Sequence, residues 1–267
     1  MRVPYLKMQG TGNQILVVDQ RATNRAPPRP DKLRELGDEV SGPGFDQLLW
    51  IGPTTDAACV ASYRVFNADG TEVEQCGNGV RCVARFLADH DGSAQEFVLE
   101  SPAGHIEARI NPDGLVTVSM GNPKFDTEQV QLVVLGKNID ICVVSLGNPH
   151  CVLQVETVAD APVGDLGPAI EHHECFPQLI NVGFMAIIDR QNIDLRVHER
   201  GVGETQACGT GACAAVVAGQ RMALLDEHVN VQLPGGQVMV SWRGDHSPVW
   251  LTGNAELISE GMMDLED

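Results

Sequence analysis

The chain has 267 residues, 43% of them hydrophobic, and a formal net charge of −18 at pH 7, enough length to bury a large core in one or two domains. That acidity would repel phosphate backbones and anionic lipid, so nucleic acid and membrane surfaces are excluded as expected partners. The N-terminal stretch carries no signal-type segment and no apolar run is long enough to span a bilayer, which makes a soluble, cytoplasmic protein the expectation.

In chain order, residues 6–19 (LKMQGTGNQILVVD) place a glycine-bounded turn before an apolar run, predicting turn then strand with Asn13 on the turn. Residues 21–31 are rich in proline and read as a surface loop, followed by a short helix through KLRELGDEV. FDQLLWIGP and CVASYRVFNADG read as strands, with Gln47 at the mouth of the first and Asn67 at the end of the second. After Cys76, apolar residues at Val80, Val83, Ala84 and Leu87 recur at helical spacing, predicting an amphipathic helix with Arg81, Arg85 and Asp89 on its other faces. Strand-like segments then recur through 96–101, 105–110, 115–120, 141–148, 151–156, 181–188, 194–199, 229–234 and 237–242. The run ACAAVVAG after Cys208 is apolar almost all round, which predicts a helix enclosed by sheet on most sides.

The two cysteine segments are copies. Sliding the sequence by 132 residues (208 minus 76) without a gap pairs Cys76 with Cys208, Arg64 with Arg196, Glu72 with Glu204, Gly77 with Gly209, Gly79 with Gly211, Pro102 with Pro234 and Gly121-Asn122 with Gly253-Asn254. Outside that span Gly12-Asn13 matches Gly147-Asn148, and Gln47 matches Asn181. An internal duplication follows, with two similar lobes: residues 1–121, to which the tail 254–267 returns, and residues 122–253. The fold class expected is α/β, each lobe a curled, mainly antiparallel sheet around a central helix.

Each copy puts a cysteine at the N-terminus of a helix. Unpaired first-turn amides and the positive end of the helix dipole favour a thiolate or a bound carboxylate there, and the dipole lowers a thiol pKa by roughly one unit. Two such sulfurs, presented from opposite sides to one carbon, suit taking a proton off one face and placing one on the other. The carbanion would need donors aimed at its carboxylate, for which the amides of Gly77-Asn78 and Gly209-Thr210 are the candidates. No dinucleotide, phosphate-loop or pyridoxal-lysine motif is present, and the eight cysteines match neither a paired CxxC zinc ribbon nor a disulfide scaffold. His172, His173 and Cys175 are too crowded for a metal and lack a fourth ligand, so no metal and no cofactor are expected. Glu72 and Glu204 either brace their turns or act directly.

GTGN at 10–13, FNADGTEVEQCGNGVRC, SLGNPH at 145–150, INVGF at 180–184 and ERGVGETQACGTGACA together resemble the diaminopimelate epimerase family, along the chain as far as the GNA turn near 254. The resemblance implies a cofactor-independent interconversion of LL- and meso-diaminopimelate in lysine and peptidoglycan precursor synthesis, in a cleft between the lobes, by a protein for which a homodimer is plausible. It makes Cys76 and Cys208 the acid/base pair. It places Asn13, Gln47, Asn67, Asn148, Asn181, Glu199 and Arg200 among substrate-contacting positions, with His150 and Glu199 assisting the thiols. Gln9, Gln14-Ile15, His198 and Asn254 depart from the family's usual residues. The competing readings are a proline or hydroxyproline racemase of the same superfold, a phenazine-type isomerase, which lacks the cysteine pair, and, in another class, a redox or zinc-binding cysteine module.

Overall fold

A computed structural model describes residues 2–73, 76–92, 95–125 and 130–265; Glu74 and Gln75 of the first cysteine motif lie outside them. The chain divides into two compact units, one made of residues 1–118 and 253–267 and the other of residues 119–252. No described helix is long and apolar enough to cross a membrane.

In the first unit, strand Arg2–Gly10 turns at Thr11-Gly12, both at positive φ, into strand Asn13–Asp19. That strand lies parallel to Gln47–Gly52, which pairs antiparallel with Ala61–Asn67. Ala61–Asn67 runs parallel to Glu96–Ser101, which returns through Gly104–Ile110. The second unit repeats this order. Strand Pro149–Gln154 lies parallel to Asn181–Asp189, which pairs antiparallel with Asn192–Glu199; that strand runs parallel to His228–Leu233, which returns through Gly236–Ser241. Glycine is required at both hairpin turns, where Gly104 and Gly236 have φ of 115° and 139°. Each unit is therefore a mainly antiparallel sheet with the same two parallel joins.

Among the described residues four helices accompany these strands: α1 (Pro30–Gly37), α2 (Gly77–Asp91), α3 (Val163–Glu171) and α4 (Gly209–Arg221). Helix α2 packs on the strands of the first unit and α4 on those of the second. Every residue of α4 from Gly209 to Gly219 is buried, which its small apolar side chains permit. The runs ILVV and LLWI are continuous because both faces of those strands are covered. Gly79 of α2 sits against Leu49. Leu48 and Trp50 point the other way, into a cluster with Leu16, Val18, Leu33, Leu36, Phe45 and Met263 beneath α1. In the second unit the corresponding outer cluster joins Ile141, Cys151, Leu153, Ile170, Val182 and Phe184 beneath α3.

The structure departs from the sequence reading most clearly at three places. Strand Arg2–Gly10 begins before the turn that the sequence marked, and it is held along its length by strand Glu256–Asp264, whose residues are almost all exposed, Leu257, Ile258 and Met262 among them, and show no period-2 alternation. Helix α3 was not predicted, because Gly164, Gly167 and Pro168 are helix-breaking residues. Its Gly167 is needed, since a Cβ there would meet the His198 ring at 2.7 Å. Arg81, expected on an exposed face of α2, is completely buried.

Glu171 closes α3 onto the sheet: its Oε2 lies 2.8 Å from His198 Nε2, and Gly201 N–H donates to its Oε1 at 2.7 Å. Burial works to raise the Glu171 pKa, but the Gly201 amide and His198 ring hold it below its ordinary 4.5. A depressed carboxyl contributes stability that is present above its unfolded pKa and is lost as pH falls through the folded one. Glu171→Gln is thus expected to weaken the fold at neutral pH and to flatten the loss of stability below about pH 4.5, read from denaturant midpoints across that range. Phe184→Ala, which empties a fully buried site, is expected to cost about 3–5 kcal/mol in the same measurement; a change below about 1 kcal/mol would show that the cluster under α3 is not the core of its unit.

Candidate active site

In the first unit three strand ends lie side by side. Asn13 opens one strand, Gln47 opens the next level with Ile15, and Asn67 closes the third directly opposite Gln47. Gln47 Nε2 donates to Asn67 Oδ1 at 3.0 Å, and Asn67 Nδ2 donates to Thr71 Oγ1 at 3.1 Å. The second side-chain atom of Gln47, Oε1, is buried and receives no hydrogen bond among the described residues. Cys76 follows as the N-cap of α2, with extended backbone (φ −141°, ψ 113°), and its sulfur accepts from Gly79 N–H at 3.4 Å. Its carbonyl accepts from Val80 N–H, so the fourth first-turn amide is also satisfied and Gly77-Asn78 stand ahead of both.

Arg81 holds this end of the unit together. Its Nη2 donates to Thr11 Oγ1 at 2.8 Å and to Asn78 Oδ1 at 3.0 Å, and its Nε donates to the Asn254 carbonyl at 3.2 Å. The Asn254 side chain in turn accepts from Thr11 N–H. The GTGN turn, the first turn of α2 and the Gly253-Asn254 turn are thereby tied to one buried guanidinium. Gly10 and Gly253 leave it room, since a Cβ at either would approach it within 3.3 Å.

The second unit builds the same cap. Cys208 has φ −119° and ψ 105°, and its sulfur accepts from Gly211 N–H at 3.4 Å while its carbonyl accepts from Ala212 N–H. Here a polar chain leads away from the sulfur. Thr210 Oγ1 lies 3.6 Å from Cys208 Sγ, Asn148 Nδ2 donates to Thr210 Oγ1 at 3.3 Å, and His150 Nε2 donates to Asn148 Oδ1 at 3.1 Å. Asn181, level with His150, donates to the Pro149 carbonyl at 2.8 Å and accepts from Arg200 N–H at 3.0 Å. It clamps two backbone segments, and Arg200 remains exposed with Nη1 on the Gln178 carbonyl. Glu199 accepts from Thr205 Oγ1 and is hydrogen-bonded to the Cys208 thiol. Of the residues that sequence reasoning did not name, Thr205, Thr11 and Glu171 carry these supporting bonds, and none had a signal in the sequence; Arg81 was placed on the helix but not in this role.

Glu72 and Glu204 brace their turns. Each takes an arginine on the strand paired beside it in a two-pronged pair, Arg64 with Glu72 at 2.6 and 2.6 Å and Arg196 with Glu204 at 2.6 and 2.9 Å. The duplication thus preserved an ion pair as well as a cap.

The electrostatics correct one expectation. Burial, and next the Glu199 carboxylate, push the Cys208 thiol well above its ordinary 9.0, outweighing the lowering by Thr210 and the Gly211 amide. Desolvation therefore defeats the helix terminus, whose share is at most about 2 kcal/mol. Burial also raises the Glu199 carboxyl. The enclosed His150 is driven down to about 3 by desolvation and by the Arg200 charge, so its ring is neutral. Cys82 is pushed up to about 12 by complete burial, which suits an inert core thiol.

The family model for diaminopimelate epimerase matches residues 5–126 and 142–258. A diaminopimelate epimerase of Laribacter hongkongensis is 49% identical over 99% of this chain and 100% of its own length. That of Azotobacter vinelandii is 45% identical over the same shares. Among solved structures, a hydroxyproline epimerase from Agrobacterium vitis superposes with a TM-score of 0.76 at 16% identity, covering 100% of this chain and 93% of that one. A Bacillus anthracis protein of the phenazine biosynthesis PhzF family superposes at 0.72 and 15% identity, over 98% and 99%. At that identity the two structures share the fold alone. With a family model spanning most of its length and relatives close to half identical end to end, the chain belongs to the diaminopimelate epimerase family.

Proposed function

We propose that this enzyme interconverts LL- and meso-diaminopimelate without a cofactor, Cys76 and Cys208 handling opposite faces of one α-carbon. The observation that supports it is the repeated cap: two cysteines, each at a helix N-terminus, each with its sulfur on the amide three residues on. In one direction a thiolate takes the α-proton, the electron pair moves into the carboxylate as an enediolate, and the other thiol returns a proton from the far side. Their roles exchange in reverse. The first-turn amides of Gly77-Asn78 and Gly209-Thr210 are assigned to the carboxylate, where charge develops.

Cys208 rests as a thiol, and the hydrogen-bonded Glu199 is the group to receive its proton when it acts as base. The buried Gln47 oxygen suits an ammonium group, which supplies the donor it lacks among the described residues. Asn13, Asn67, Asn148 and Asn181 hold the strand ends and loops that frame the substrate, Arg200 takes the distant carboxylate, and neutral His150 orients Asn148. The place in metabolism is lysine and peptidoglycan precursor synthesis. Family membership supports a cytoplasmic location and a homodimer, the latter checked by sedimentation.

Incubation with LL-diaminopimelate in deuterated water, without added cofactor, should give the meso isomer carrying deuterium at the α-carbon, with proline and hydroxyproline inert. Cys76→Ala and Cys208→Ala should each abolish turnover while leaving the fold intact; wild-type turnover in either would overturn the two-thiol scheme. Glu199→Gln removes a negative charge from beside Cys208. It should therefore speed alkylation of Cys208 at a fixed neutral pH, followed by peptide mapping, while lowering kcat by about 10²–10⁴. Unchanged alkylation together with unchanged kcat would remove Glu199 from its assigned place.

A further inference from the structure

Outside the residues that the mechanism uses, the first unit gathers three metal-ligating side chains of three kinds. The Asp56 carboxylate, the Cys59 sulfur and the His105 imidazole have donor atoms that all lie within 4.8 Å of one another. We propose that they form a binding site for one divalent ion of borderline softness, zinc or cobalt in class, with a solvent molecule in the fourth position. This inference does not rest on the epimerase reading.

The local fold fixes the set. Asp56 and Cys59 stand on one tight turn, closed by Cys59 N–H donating to the Asp56 carbonyl at 3.0 Å. Ala58 N–H takes Asp56 Oδ1 at 2.9 Å, which leaves Oδ2 to face His105 Nε2 at 2.8 Å. His105 comes from the hairpin strand beyond, directly opposite Glu100. Thr54 joins the two halves from behind, donating to Glu100 Oε2 at 2.5 Å and accepting from Asp56 N–H at 3.0 Å. Such outer hydrogen bonds are what hold ligands in aim.

The dimensions suit a tetrahedral ion. Donor bonds of about 2.0–2.3 Å put neighbouring ligand atoms roughly 3.3–3.8 Å apart, so the widest gap must close by about 1 Å and the Asp56–His105 contact must open by about half that. Mixed sulfur, nitrogen and oxygen donors select zinc-like ions over calcium or magnesium, which take oxygen alone. The carboxylate and imidazole are 39% and 51% exposed while Cys59 is 9% exposed, so an ion arriving from solvent meets oxygen and nitrogen first and sulfur behind them. On binding, the Cys59 S–H proton leaves to solvent as the metal–sulfur bond forms, and thiolate plus carboxylate neutralise the two positive charges. The ion would then cross-link the 53–60 loop to the 96–110 hairpin. No sequence motif announced it, because Cys59 and His105 are far apart in the chain.

The test is a cobalt titration of the full chain, stripped with chelator under reducing conditions, following the near-ultraviolet thiolate-to-cobalt charge-transfer band. We expect one equivalent, displaced by zinc. The band should vanish in Cys59→Ser and need at least about tenfold more cobalt in His105→Ala, both checked as folded by circular dichroism, and it should persist in the Cys76→Ala/Cys208→Ala variant. Zinc should raise Tm in the parent and not in His105→Ala. A band retained in Cys59→Ser, a band lost in the Cys76→Ala/Cys208→Ala variant, or no cobalt binding by folded parent protein would overturn the site.

Discussion

A thiol is a poor helix cap, and this chain uses it twice. The cap position needs an extended backbone and a side-chain acceptor for an orphan amide; serine, aspartate or asparagine would accept strongly, whereas sulfur accepts weakly. At 3.4 Å from Gly79 and Gly211 the two sulfurs only nominally satisfy those amides, at a stability cost of up to about 1 kcal/mol per helix relative to a better cap. A residue kept where stability disfavours it marks a position set by chemistry. The cap also locates the sulfur: it must lie over the first turn, at the sheet end where Asn13, Gln47 and Asn67, or Asn148, Asn181 and Glu199, converge.

The burial that locates these groups also silences them. Cys208 and Glu199 are shifted up and His150 down, in each case toward the neutral form. Desolvation moves a pKa by up to several units, against about one for a helix terminus, so the resting second unit stores no thiolate. On the proposed mechanism a zwitterionic substrate brings an ammonium that would stabilise a thiolate and a carboxylate that would occupy the helix amides, so that binding would favour the charged form of the sulfur.

What could be read from the sequence was whatever the duplication repeats at fixed offset. The two cysteine caps fell into place because local geometry and the repeat agreed. The bracing function of Glu72 and Glu204 became plain only when each was seen on its arginine. Features that depend on one residue meeting another across the fold stayed hidden. Arg81 follows the helical period of an exposed side chain, and only the carbonyl, hydroxyl and amide oxygens around it make a buried guanidinium tolerable. Helix α3 is carried by the packing of Ile170 and Val163 and by the Glu171–His198 contact, which overrides the glycines and proline that argue against it. His198, a departure from the family's usual residue, is thereby matched to Glu171.

The offset also shows where the two copies parted, and the differences are electrical. Glu199 occupies the position that Asn67 fills in the first unit, and Cys213 the position of Arg81 (each 132 residues on). One copy thus surrounds its cysteine with a neutral amide and places a guanidinium within its helix's first turns; the other sets a carboxylate on its sulfur and has a buried thiol in place of the guanidinium. A negative neighbour raises a thiol pKa, and a positive one lowers it. Starting from one ancestral half, the carboxylate at 199 adds to burial in raising the second sulfur's pKa, while the cap geometry stays the same.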